Sequence, residues 1–155
     1  MDFERFLIGE GPDFLGRNLQ DIWDFSDEEI EQTHDFVQVV FPINKPSRAV
    51  SHGFYLDSEA LIEQIKNNPE AKENILKSAK WFLSFLARNT YWNQKYNHNQ
   101  LRITRVIESL RLLVSNEEAD KFYQSVLELI EEDNKVNLDT LVFWKMHKTY
   151  STYKL

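Results

Sequence analysis

The sequence predicts an all-α protein, and three observations support that class. Glycine and proline are scarce, with four of each in 155 residues, so the sequence lacks the residues that form the many tight turns of a β-protein. Apolar residues recur at intervals of three and four along several segments, which is the spacing of one helix face. No segment shows the alternation of a half-buried strand. We therefore expect one domain over residues 1–155, built as a single irregular bundle of about six to eight helices.

The first third of the chain carries helix start and stop signals. Short helices are expected in "DFERFLI" and "NLQDIWDF". Ser26 and Glu29 form a capping box, in which each side chain bonds the backbone N–H of the other. The helix that starts there is predicted to run to about Phe41, because Pro42 cannot continue it. The next stretch, residues 43–56, is predicted to be irregular.

The remaining helices follow from caps and periodicity. Asp57 or Ser58 is expected to cap "EALIEQIKNN", and Pro69 closes that helix while opening the next at its first turn. After a polar interval, "LRITRVIESLRLLV" is the strongest amphipathic segment. Ser115 and Glu118 form a second capping box. A last helix is expected from about 137 to 150.

Composition and charge exclude several classes of function. The chain has no cysteine, which excludes disulfides, thiolate metal sites and a cysteine nucleophile. Its four histidines show no metal-ligand spacing. The net charge of −7 repels phosphate backbones, so no nucleic-acid partner is expected. No apolar run is long enough to cross a membrane, and the N-terminus lacks the features of a signal peptide. We expect a cytoplasmic protein with no transmembrane segment, no metal and no cofactor.

The stretch "IGEGPDFLGR", residues 8–17, holds three of the four glycines. A dinucleotide-binding loop needs a preceding strand, and a P-loop needs Lys and Ser or Thr after its last glycine. Here Arg17 and Asn18 follow Gly16, and no strand precedes. We interpret the stretch as a backbone bend and not as a phosphate-binding loop. Arg17 is expected to point at a ligand or at a buried carboxylate.

Two sets of polar residues border apolar helix faces. On the helix predicted over 26–41, His34 and Gln38 are four residues apart and are expected to lie side by side at the edge of the apolar face. On the helix around 98–114, one polar row runs beside the core face: His98, Arg102, Arg105 and Ser109.

The polar row on the helix around 98–114 is suited to binding an anion. Each guanidinium of Arg102 and Arg105 presents a planar fork that matches a carboxylate or a phosphate. A structural interpretation competes with it, because acidic residues outnumber basic ones 25 to 18. Glu108 is placed to pair along the helix with Arg105 or Arg111.

Three separated blocks carry a resemblance to a known family. They are "FLIGEGPDFLGRNLQDIWDFSDEEIEQTHDFVQVVFP", then "HNQLRITRVIESLRLLV", then "FWK". In that order, over about residues 6–145, they resemble the conserved domain of the opioid growth factor receptor family. The chain departs from the pattern at Val40, before Phe41 and Pro42, where the family often has Trp.

The resemblance implies an α-helical domain with receptor-like binding activity. In animals the family is described as a receptor for an enkephalin peptide, with nuclear and inner-membrane association. Single-domain relatives in microbes have no assigned role. The resemblance supplies no catalytic residues, and it directs attention to the polar residues of the matching blocks.

Function is therefore predicted as a helical binding module. Its candidate ligand-binding residues are Arg17, His34, Gln38, His98, Arg102 and Arg105. They are expected to face one another across a groove and to hold a small anionic molecule or a peptide.

Two alternatives stay open. One is a protein–protein adaptor without a small-molecule site, with "HGFYL" and "YSTYKL" as contact surface. The other is an enzyme in which His34 or His98 is the general acid or base, and we rank it last.

Overall fold

A computed structural model of the chain describes residues 1–48, 50 and 52–146. In that part of the chain all regular structure is helical, with nine α-helices, one 3-10 turn and no strand. The all-α class is confirmed. The number of α-helices exceeds the predicted six to eight because one predicted helix is observed as two. Among the described residues, no helix is long and apolar enough to cross a membrane.

The chain divides into two compact units, and the division falls after Ser78. The predicted single domain over 1–155 stays a prediction. The first unit contains five complete helices and the start of a sixth: α1 Phe3–Leu7, α2 Leu19–Trp23, α3 Asp27–Gln32, α4 Val37–Val40, α5 Glu59–Lys66 and α6 Pro69–Arg88.

The helix starts of the first unit follow the predicted caps. Ser26 and Glu29 form the reciprocal capping box at the start of α3. Ser58 caps α5 by accepting a hydrogen bond from the Leu61 N–H. Pro69 opens α6, as expected. Side-chain caps satisfy backbone N–H groups that have no partner within the helix, so they place helix starts sharply.

The single helix predicted over 26–41 is wrong. The structure has α3 and α4 there, separated by residues 33–36. Thr33 ends α3 in an extended conformation, with φ −90° and ψ 121°. Asp35 in the gap pairs with Arg17, and the fully buried Phe36 packs edge-on against Phe25. These tertiary contacts favour the break, and the weak helix propensity of Thr and Asp does little to oppose it.

The second unit is organised around α7, residues His98–Leu113. It pairs with α8, Asn116–Leu129, and with α9, Leu138–Met146. Buried residues occur on nearly every side of α7, so it is the central helix of this unit. Ser115 caps α8 by accepting from the Glu118 N–H. A 3-10 turn, Thr90–Trp92, precedes α7.

The last helix, α9, is apolar on more than one side. Trp144 is fully buried, whereas Leu138, Val142 and Phe143 are exposed by 71%, 43% and 46%. One side of α9 therefore packs into the unit while other apolar side chains face outward. The predicted extension of this helix to 150 lies outside the described residues, as does the segment "YSTYKL".

Candidate functional site

The glycine-rich stretch is a bend that encloses one of its own carboxylates. Gly9 and Gly16 have φ of 82° and 81°, a backbone region that favours glycine. The Asp13 carboxylate accepts hydrogen bonds from the backbone N–H of Leu15 and of Arg17, both at 2.9 Å. Those amides are the groups that a phosphate-binding loop would offer to a ligand. Here they bind Asp13, which confirms the structural interpretation of the stretch.

Arg17 bonds two carboxylates of the first unit. Its Nε donates to Asp13 Oδ2 at 2.8 Å, and one terminal nitrogen donates to Asp35 Oδ1 at 3.0 Å. The Asp13 side chain is completely buried, and that of Arg17 is 18% exposed. Arg17 also lies 5.7 Å from the centre of the Phe14 ring. Of the two targets expected for Arg17, the structure shows the buried carboxylate; contact with a ligand stays a prediction.

His34 and Gln38 do not lie on one helix. His34 is exposed in the gap between α3 and α4, and Gln38 is buried within α4. The argument that placed them side by side assumed continuous helical spacing, which the break at Thr33 removes. Their predicted role in ligand binding stays a prediction.

The predicted row of the second unit lies on α7, but its members differ in burial. Arg102 is buried and donates to Asn99 Oδ1 at 3.2 Å. Arg105 is half-buried, and His98 is exposed at the start of the helix. Burial lowers the pKa of the Arg105 guanidinium to about 10, and the neighbouring Glu108 carboxylate opposes that shift. Arg17, His34 and Gln38 belong to the first unit, so the joint site of the two sets stays a prediction.

The second unit has an open groove between the N-terminal half of α7 and α9. Its volume is about 730 Å³, within the range of sites that hold a small ligand or a few peptide residues. Three of its side chains are large, apolar and exposed: Tyr96 by 67%, Leu101 by 74% and Phe143 by 46%. The groove is lined by Tyr96, Asn97, His98, Gln100, Leu101, Thr104, Asp139, Thr140 and Phe143.

A hydrogen bond joins the two walls of the groove, and others hold the α7 side in place. Thr104 Oγ1 on α7 accepts from the indole N–H of Trp144 on α9 at 2.8 Å and donates to Gln100 O at 3.1 Å. The amide nitrogen of Gln100 donates to the backbone oxygens of Trp92 and Gln94. These bonds occupy the polar groups of Thr104 and the Gln100 amide nitrogen within the fold. What remains for a ligand is mainly apolar surface.

Two polar side chains of the groove keep their bonding capacity. Among the described residues, neither the Asp139 carboxylate nor the Thr140 hydroxyl makes a side-chain hydrogen bond or ion pair. Asp139 is exposed in the first turn of α9. The backbone N–H of Asp139 donates to Asn137 Oδ1 at 2.8 Å, which fixes the start of the helix. In the described part of the lining, a single carboxylate therefore lies at the edge of a mainly apolar groove.

We found no match for this chain among protein-family models, curated proteins or solved structures. The described residues contain no group of three or more His, Asp or Glu side chains placed to hold a metal ion.

Of the candidate residues predicted from the sequence, His98 alone is among the described residues that line the groove. Leu101, Phe143 and Asp139 were not predicted. A signal for them was present: Leu101 lies off the core face of α7, and "LVFW" gives α9 four consecutive apolar residues. No helix can bury four consecutive side chains against one neighbour, because they point in four directions about 100° apart.

Proposed function

We propose that this chain is a peptide-binding module and that the α7–α9 groove is its binding site. The observation that carries the proposal is the exposure of Tyr96, Leu101 and Phe143 in one concave surface. Exposed apolar side chains that share a groove mark interaction sites, because burying them against a ligand removes apolar area from water. Isolated exposed leucines need no such explanation.

The size and shape of the groove favour a peptide segment over a whole folded surface. A volume of about 730 Å³ accommodates a few side chains. Peptides bind such grooves by inserting apolar anchors at regular intervals. The resemblance to the opioid growth factor receptor family, a family described as peptide receptors, supports the same class of ligand. A cytoplasmic location and the absence of a nucleic-acid partner belong to this proposal, the latter on the ground of the −7 net charge.

The test is selection of peptides from a phage-displayed random library. Wild-type protein and Leu101→Ser are used as separate baits, and enriched peptides are measured by fluorescence anisotropy. Leu101 is 74% exposed, so replacing it should leave the fold intact. We expect wild-type protein to enrich peptides with apolar anchors and Leu101→Ser to weaken their binding about tenfold or more.

The matched control is Leu15→Ser. Leu15 is 58% exposed and lies in the bend of the first unit, so the same chemical change is made away from the groove. Leu15→Ser should bind the selected peptides as wild type does. If no peptide is enriched, or if both serine variants bind equally well, the groove is not a peptide site.

The second candidate is an anion-binding role for Arg105. Burial lowers the pKa of this half-buried guanidinium and the neighbouring Glu108 carboxylate opposes that shift, which supports such a role. An anion bound beside Arg105 would offset the cost of that burial. We expect pyrophosphate or citrate to raise the melting temperature of wild type and of Leu101→Ser, and to have no such effect on Arg105→Gln. Equal shifts in wild type and Arg105→Gln would remove this candidate.

A further inference from the structure

The groove combines a lone carboxylate with aromatic rings, and this combination specifies its ligand further. Among the described residues that line it, Asp139 is the only Asp, Glu, Lys or Arg. Within the described part of the chain its carboxylate has no bonding partner. Tyr96 and Phe143 line the same groove with exposed rings. Carboxylates attract cations directly, and the faces of aromatic rings attract them through the ring quadrupole.

We infer that the groove selects peptides that place a lysine or arginine side chain next to an apolar anchor. The inference rests on the proposed function and names the chemistry of its ligand. The cation binds the Asp139 carboxylate, and its methylene stem lies along Leu101 and the rings of Tyr96 and Phe143. The Thr140 hydroxyl, which also lines the groove, accepts a second hydrogen bond from the same cation.

Other charged or titratable side chains near the groove also affect which ligands it selects. Lys95 is exposed, and its Nζ lies 5.8 Å from the centre of the Tyr96 ring, so it competes with a ligand cation for that ring. His98 also lines the groove. At longer range the net charge of −7 attracts a basic partner. Lys95 is therefore a fixed positive charge that opposes the selection, and it is included in the test.

The experiment uses three fragments that share one apolar body and differ in their head group. They are phenylbutylamine, which is cationic, phenylbutanol, which is neutral, and phenylbutanoate, which is anionic. Each is titrated to about 10 mM into isotope-labelled full chain, a range suited to fragments of this size. Affinities are obtained from backbone amide shifts of residues 96–104 and 138–143.

We expect the amine to bind wild-type protein about five- to tenfold more tightly than the alcohol, and the carboxylate to bind most weakly. Asp139→Asn should bring the amine to the affinity of the alcohol. Glu132→Gln removes the same charge at an exposed position outside the groove and should leave the preference unchanged. Lys95→Gln should strengthen amine binding.

The outcomes separate this inference from the proposed function. Equal affinities for amine and alcohol, or a preference that survives in Asp139→Asn, would overturn the selection for a cation. If the alcohol still binds wild type and is weakened in Leu101→Ser, the apolar groove stands without that selection. An absence of amine-induced shifts in the groove would also overturn the inference, while the peptide selection described above decides the proposed function independently.

Discussion

The indole N–H of Trp144 on α9 donates to Thr104 Oγ1 on α7 at 2.8 Å. This bond joins the two helices that form the groove, and Thr104 is itself part of the groove lining. Trp144 is fully buried, so its N–H has no water to bond if the hydroxyl is removed. The positions of Leu101 and Phe143 across the groove therefore depend on this contact.

Thr104→Val should destabilise the protein and weaken peptide binding together. Valine has nearly the shape of threonine but leaves the Trp144 N–H without an acceptor, which costs about 1–3 kcal/mol. The free energy of unfolding is measured by urea denaturation followed by tryptophan fluorescence. Thr104→Ser keeps the hydroxyl and serves as the control. If Val and Ser variants unfold at the same urea concentration, this hydrogen bond does not hold α9 in place.

The bend at residues 8–17 should depend on the Asp13 carboxylate. Asp13→Asn removes the buried one of the two carboxylates that Arg17 bonds and is expected to cost about 1–3 kcal/mol of unfolding free energy. Asp57→Asn makes the same change at an exposed position and should stay within about 0.5 kcal/mol of wild type. Chemical denaturation measures both. Equal effects of the two substitutions would show that the enclosed carboxylate is not what stabilises the bend.

The ion pair between the buried Arg111 of α7 and Asp120 of α8 should contribute more than the exposed pairs on α8. Arg111 has a side chain only 1% exposed, and it bonds Asp120 at 2.7 Å. Asp120→Ala is expected to cost about 1–3 kcal/mol because it removes the Asp120 carboxylate from the buried Arg111 guanidinium. Lys121 pairs with the exposed Glu117, so Lys121→Ala should have a much smaller effect in the same denaturation experiment. A larger effect for Lys121→Ala would contradict this account.

Tyr123 should make the protein sensitive to alkaline pH. Burial raises the pKa of its phenol above the usual value of 10.0. The folded state therefore disfavours the phenolate, so the stability contribution is complete below the unfolded pKa and is lost as pH rises through the folded pKa. Tyr123→Phe should match wild type within about 0.5 kcal/mol at pH 7 and be the more stable protein above about pH 10.

The measurement is the difference in urea midpoint between the two proteins across that pH range. Arg105 has a pKa lowered to about 10 and changes stability in the opposite direction, since its burial cost disappears when it loses its proton. Both proteins contain Arg105, so its effect cancels in the difference. A difference that stays constant with pH would show that Tyr123 does not titrate differently on folding.

Local signals predicted most of the fold. Caps such as Ser26 and Ser58 involve backbone groups within three residues, so they can be predicted from the local sequence alone. The break between α3 and α4 could not be predicted in that way. It depends on the pairing of Asp35 with Arg17, eighteen positions away in sequence, and on the packing of Phe36 against Phe25. Helical periodicity contains no information about such contacts.

The candidate site was harder to predict than the fold for a related reason. Arg102 and Arg105 were predicted as ligand-binding residues because charged residues in a row resemble a binding site. Arg102, however, is buried and bonds Asn99. Leu101 and Phe143 have the composition of core residues, and only the three-dimensional structure shows that they are exposed. An apolar groove forms where no neighbouring element covers the apolar side of a helix. No single segment of the sequence contains that information.

The most direct test of the account is to map where a selected peptide binds. Isotope-labelled wild-type protein is titrated with the highest-affinity peptide from the library, and backbone amide shifts are followed by NMR. We expect saturable shifts concentrated in residues 96–104 and 138–143, and their loss in Leu101→Ser but not in Leu15→Ser. Saturable shifts confined to residues outside the groove, unchanged in Leu101→Ser, would contradict the assignment of this groove as the binding site.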